Sequence, residues 1–123
     1  MATPAEIANR YVEAYNAHDD EAILRIAADD IYVLHHNRGL EVRGKAGFRE
    51  MLAKYRGIMP DKRFANRTGF HVDGETVIVL HTWFGRSNQD IPDLAVKGET
   101  KSYDLCTIFK VRNGLIAEYH DYG

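Results

Sequence analysis

One cysteine, three prolines and no apolar run longer than four residues characterise this 123-residue chain before any motif does. A lone Cys106 excludes an internal disulfide framework and fits a reducing compartment, so a cytoplasmic location is expected. The longest apolar run, Val77–Leu80, is far too short to span a bilayer, and no membrane partner is expected. Met1 leads into a polar, helix-capping stretch rather than a signal peptide. An excess of basic residues is also lacking. The chain has 16 Lys+Arg against 18 Asp+Glu and a net charge of -2, which argues against nucleic-acid binding through a basic surface. What remains is ordinary for a globular domain, with 45% hydrophobic and 28% charged residues. A chain of this size folds without a metal or a disulfide. No internal repeat or linker divides it, so residues 1–123 are expected to form a single domain.

The local patterns give the order of elements. Thr3 can cap a helix, Pro4 suits its first position and Glu6 completes a capping box. Ile7, Ala8, Tyr11, Val12 and Tyr15 then recur at helical spacing. Asp19 or Asp20 can cap a second short helix running to about Ala28, with Ile23, Leu24, Ile26 and Ala27 on its buried side. Ile31–His36 reads as a strand closed by Asn37-Arg38-Gly39. After Gly44, the spacing of Phe48, Met51, Leu52 and Tyr55 predicts a third helix ending before Pro60. The period then changes to two. Arg63–Val72, Glu75–Phe84, Thr100–Arg112 and Leu115–Tyr122 are predicted strands. Asp73-Gly74, a long loop over Gly85–Gly98, and Asn113-Gly114 separate them. The expected fold is α+β: three N-terminal helices packed in the concave face of a curved, mixed, mainly antiparallel sheet. It would be a cone-shaped half-barrel with a pocket at its open end.

Three stretches carry a family resemblance. They are Arg10-Tyr11-Val12-Glu13-Ala14-Tyr15-Asn16-Ala17-His18-Asp19, then Ala28-Asp29-Asp30, then the segment from Phe109 to Tyr122. In this order they resemble the nuclear-transport-factor-like superfamily, in its SnoaL-like polyketide cyclase and ketosteroid isomerase group. That resemblance implies the fold more than the chemistry, because the scaffold hosts isomerases, cyclases, epoxide hydrolases, dehydratases and non-catalytic binders.

The resemblance implies that Asp121 is a general acid/base, as the aspartate of a similar terminal motif is in the cyclases. The residues give its face separately. If Arg112-Asn113-Gly114 is a three-residue bulged turn, Phe109 faces Ala117, Thr107 faces Tyr119 and Leu105 faces Asp121. A two-residue Asn-Gly turn would instead set Thr107 opposite His120. The bulged turn is preferred because it gathers the larger apolar residues on one face. A carboxylate against such a wall loses hydration, which suits it to proton transfer near neutral pH.

Tyr11 matches the tyrosine that donates to the oxyanion in ketosteroid isomerases. His35 corresponds best to the position of their proton-shuttling aspartate, and Thr107 falls near their second oxyanion donor. Neither residue keeps the isomerase pattern, so steroid isomerisation by the known route is not expected. Strand parity points His35 rather than His36 into the pocket.

The expected pocket lining is Tyr15, Val33, Phe48, Leu52, Tyr55, His81, Trp83, Leu105, Thr107, Phe109 and Tyr119. No metal site is expected, since no helical His pair or Cys/His spacing is present. Lys54, Arg56, Lys62, Arg63 and Arg67 read as a solvated rim, and Cys106 as pointing away from the pocket. Two functions stand open. One is a cofactor-independent enzyme moving a proton next to a carbonyl of a hydrophobic small molecule, and the other is a ligand-binding or partner-recruiting domain of the same fold. The enzyme is favoured. A homodimer through the outer sheet face, presenting Ile108, Lys110, Ile116, Glu118 and His120, is compatible with both.

Overall fold

The first helix, α1 (Pro4–Asn16), begins where the capping box predicts it. The Thr3 hydroxyl accepts from the Glu6 amide and the Glu6 carboxylate accepts from the Thr3 amide, both at 3.2 Å, which satisfies two donors that a helix start leaves open. This computed structural model describes residues 2–92 and 94–123. Ile7, Ala8, Tyr11, Ala14 and Tyr15 form the buried stripe of α1. His18, at φ 58°, turns the chain into α2 (Asp20–Arg25), where Asp19 caps through the Ala22 amide at 3.1 Å. Helix α2 stops earlier than the sequence suggests. The Ile116 amide takes the Ile26 carbonyl at 2.7 Å, and Ala27 pairs with Ile116, so sheet pairing captures the residues that would have extended the helix.

Strand β1 (Ala27–His35) follows, then the short β2 (Leu40–Arg43), then α3 (Lys45–Ile58). Only two of the three helices therefore precede the first strand. Strand β2 is a tertiary product. Its four residues pair with Tyr32–His35, and a segment that short carries too little alternation to announce itself. Strands β3 (Arg63–Asp73), β4 (Thr76–Arg86), β5 (Thr100–Arg112) and β6 (Leu115–Tyr122) complete the chain.

The six strands run in the order β2-β1-β6-β5-β4-β3. All neighbours are antiparallel except β1 and β6, which run parallel. This corrects the cone-shaped half-barrel. Closure requires the two edge strands to meet, but β2 and β3 lie at opposite ends of an open sheet that is neither closed nor strongly curled. The α+β class stands, with helices layered on a mixed, mainly antiparallel sheet, and the pocket lies between the layers. Phe48, Phe109, Ile23, Ile31, Ile116, Val33, Val77 and Val79 are fully buried in that interlayer core. Each such side chain contributes roughly 1.5–3 kcal/mol by leaving water.

The β5–β6 register differs from both expectations. Asn113 (φ 54°) and Gly114 (φ 76°) form a two-residue turn with two left-handed residues, so Arg112 pairs with Leu115 and Val111 with Ile116. An irregularity then inserts Ala117, and Lys110 pairs with Glu118, Phe109 with Tyr119 and Thr107 with Asp121. The extra residue moves Ile116 from the outer face, where strict alternation put it, into the core. It also places Thr107 directly across from Asp121.

Candidate active site

A cavity of about 750 Å³, its open mouth included, lies between α1, α3 and the sheet. Tyr15, Leu52, Tyr55, Trp83, Leu105 and Tyr119 line it, together with Tyr11, His35 and Asp121. Val33, Phe48, His81, Thr107 and Phe109 are not on its wall. All five are buried in the layer behind it, where packing of helix against sheet leaves no open surface.

Asp121 is 4% exposed, yet its carboxylate meets the cavity. Three groups converge on it. Thr107 donates to Oδ1 at 2.6 Å, Tyr119 donates to Oδ2 at 2.9 Å, and His35 Nδ1 lies 3.1 Å from Oδ2. Each follows from register. Thr107 is its cross-strand partner, Tyr119 lies two residues away on the same face, and His35 is its parallel partner across β1. A carboxylate offers about four acceptor positions, and the two hydrogen bonds from Thr107 and Tyr119 leave room for a ligand. The Thr107 proton is spent on Asp121, so Thr107 accepts from His81 Nε2 at 2.8 Å. That fixes the proton of neutral His81 on Nε2. Burial holds His81 down to about 4, with Asp121 opposing the shift and Arg67 adding to it. His81 therefore serves as a neutral donor behind the site, stacked on Phe64 at 4.2 Å.

Tyr11 packs against Tyr119 (5.0 Å between centroids) and Phe109 (5.2 Å). Burial pushes both the Tyr11 and Tyr119 phenols well above the usual range, and the Asp121 charge adds to each. Neither gives up its proton at neutral pH, so both are hydrogen-bond donors rather than bases. Among the described residues, no group of three or more His, Cys, Asp or Glu side chains could hold a metal ion.

With this geometry in hand, comparison with known proteins places the chain. A family model described as the SnoaL-like domain matches residues 8–119. The chain belongs to the SnoaL-like family. Among solved structures, a candidate polyketide cyclase from Pseudomonas putida superposes with a TM-score of 0.86 at 26% identity, over 100% of this chain and 92% of that one. A second candidate polyketide cyclase, from Xanthomonas campestris, gives 0.85 at 22% identity, over 98% and 89%. A protein of ketosteroid-isomerase-like fold from Catenulispora acidiphila, solved with trimethylamine, gives 0.80 at 18%, over 99% and 87%. The last two likenesses show the fold alone. No curated protein matches the chain in sequence. Among the described residues, no helix is long and apolar enough to cross a membrane.

This SnoaL-like domain also lines its cavity with residues that sequence reasoning missed. Lys62, assigned to a solvated rim, is 3% exposed, and its ammonium lies 3.8 Å above the Tyr15 ring. The signal was present, because counting back from Phe64 by two puts Lys62 on the inward face. Arg38 lines the mouth and donates to the Tyr55 hydroxyl at 3.2 Å. The long loop starts later than expected, since Gly85 and Arg86 belong to β4. Gly85 leaves room for the Trp83 indole, which would lie 2.5 Å from a Cβ at that position. Further along, Leu94 reaches the cavity, tied by the Tyr103 hydroxyl to its carbonyl.

Proposed function

We propose that this SnoaL-like domain is a cofactor-independent enzyme that moves a proton at the carbon next to a carbonyl of a hydrophobic small molecule. Cyclisation, isomerisation or dehydration would follow from the substrate. The observation that supports this reading is the Asp121 carboxylate at the cavity wall, buried, hydrogen-bonded by Thr107 and Tyr119, with the His35 ring 3.1 Å away and acceptor capacity left for a ligand. A carboxylate fixed in this way needs little reorganisation to take a proton. In this reading Asp121 is the base and then the acid. Tyr11 or His35 donates to the enolate oxygen as charge develops there. The Tyr11 phenol keeps its proton at neutral pH and so offers a donor without competing as a base. The polyketide-cyclase description of the Pseudomonas putida relative is in keeping with carbonyl chemistry.

The test is deuterium exchange at the acidic carbon of 2-tetralone in buffered D2O, followed by proton NMR. The wild type should accelerate exchange over buffer, and Asp121→Asn should lower the rate by roughly 10² or more with an unchanged far-UV spectrum. Equal rates for the two proteins, or no acceleration across a panel of one- to three-ring ketones, would sink the reading in favour of a binding domain. The proposal also includes a homodimer through the outer sheet face, now reduced to Ile108, Lys110, Glu118 and His120. A monomer in sedimentation at micromolar concentration would remove that part.

A further inference from the structure

Lys62 poses a problem that the Asp121 chemistry does not absorb. Its backbone is pinned where β3 begins. The Lys62 amide donates to the Met59 carbonyl at 3.2 Å, and His18 Nε2 lies 3.0 Å from the Lys62 carbonyl. Two residues on, Phe64 exchanges two hydrogen bonds with the Asn16 side chain, at 2.8 and 3.0 Å. From there the side chain crosses the Tyr15 ring and lines the cavity. Among the described residues, no side chain or carbonyl accepts a hydrogen bond or forms an ion pair with its ammonium. Asp20, the carboxylate whose charge acts on it, is engaged on both oxygens by Arg56, with the Nε contact at 2.8 Å. A largely buried ammonium with a π face beneath it and no hydrogen-bond acceptor among the described residues is costly. The fold keeps it there, at the cavity wall.

We propose that the Lys62 ammonium anchors an anionic oxygen of the ligand, so that the cavity takes small aromatic acids bearing a carboxylate or a phenolate. This rests on the reading of the cavity as a small-molecule site but not on Asp121 acting as a base. Three further observations carry it. The walls beside Lys62 are aromatic: Trp83 donates to the Tyr15 hydroxyl at 2.8 Å, and Tyr103 is inclined 26° to Trp83, with ring centroids 5.9 Å apart. A ring can lie against them while its anionic group meets the ammonium. The charges on the lining are unbalanced, because Lys62 and Arg38 carry no carboxylate partner among the described residues, and the carboxylate of Asp121 is met by His35. Such a cavity attracts anions. Thirdly, Lys62 and Asp121 both face the same cavity, so one ligand can reach both.

Asp20 on α2 and Arg56 on α3 act on the charge of Lys62, and Tyr15 on α1 and His18 just beyond it lie beside the residue. Burial brings the ammonium down from 10.5 to about 8, with Asp20 opposing and Arg56 assisting. The anchor is therefore charged at neutral pH and is lost as the pH climbs past that value.

Trp83 is the one tryptophan of the chain and lines the cavity, so its fluorescence reports binding. We would titrate 2-naphthoate and its neutral counterpart 2-naphthamide. At pH 7 the wild type should bind the acid at least roughly tenfold more tightly, about 1.4 kcal/mol, and the preference should shrink as the pH is raised to about 9.5. Lys62→Met should bring the two affinities within about twofold, with naphthamide binding unchanged, and Lys62→Arg should retain the preference. Asp121→Asn, which removes a carboxylate from the same cavity lining, should leave a preference at least as large, which separates failure here from failure of the proton-transfer reading. Equal affinities in the wild type, a preference that survives Lys62→Met, or no naphthoate binding up to millimolar concentration would overturn the proposal. Should Lys62→Met not fold, a wild-type preference that stays flat across the pH range overturns it alone.

Discussion

The two ends of the cavity treat a buried charge in opposite ways. At one end Thr107 and Tyr119 donate to Asp121, the His35 ring lies 3.1 Å from it, and His81 stands behind Thr107. At the other end Lys62 meets the face of Tyr15 and, among the described residues, no hydrogen-bond acceptor. The first arrangement is already hydrogen-bonded without a ligand, so removing a member should weaken the fold. The second is incomplete, so removing the charge should relieve it. A satisfied buried charge marks a group held ready to act, and an unsatisfied one marks a group awaiting a partner.

Three changes sharpen or break that contrast. The largest effect on stability is expected from Thr107→Val, which keeps the shape but leaves the His81 N–H and one Asp121 oxygen unpaired. It should cost roughly 1–3 kcal/mol in urea denaturation, and a neutral result would mean that the Asp121 end is less tightly knit than its distances imply. The opposite sign is expected for Lys62→Met. The folded-state value of Lys62 is depressed, so folding at pH 7 carries the cost of an unfavourably buried charge that fades only above about 8. The variant should therefore melt several degrees higher at pH 7, with a gain that narrows towards pH 10. A lower melting temperature would show that the Tyr15 contact alone outweighs the burial.

The smallest effect is the pH profile of the Asp121 end. His81 is held at about 4 against an ordinary 6.5, so the unfolded chain binds more protons between those values. Stability should be fully present above about 6.5 and fall as the pH drops towards 4. In His81→Gln, which keeps a donor for Thr107, the decline between about pH 6.5 and 5 should flatten. An unaltered slope would place its origin elsewhere.

Much of the fold was legible because it rests on local chemistry. The capping box at Thr3, the helical stripe from Ile7 to Tyr15 and the period-two strands after Pro60 are consequences of a few neighbouring residues, and they stand where the sequence puts them. The end of α2 was not legible. Ile26–Ala28 have fair helical character, but the partner that captures them is Ile116, distant in sequence. The site divides in the same way. Parity placed His35 and Asp121 on inward faces, and the cavity meets both. Whether an inward residue reaches the cavity or lies behind its wall depends on what the opposite layer places over it. Val33 and Phe109 differ from Leu105 and Tyr119 in that respect and not in pattern.

The sequence by itself determined the order of most elements, the inward faces of most strands and the presence of a carboxylate, a histidine and tyrosines on those faces, because helix and strand periods are properties of the local backbone. Tertiary structure decided three things: that the sheet stays open, that Thr107 meets Asp121 across an irregularity at Ala117, and that Lys62 is buried over Tyr15 rather than solvated. Each depends on contacts between segments far apart in the chain, and their energies are fixed only when the layers close on one another.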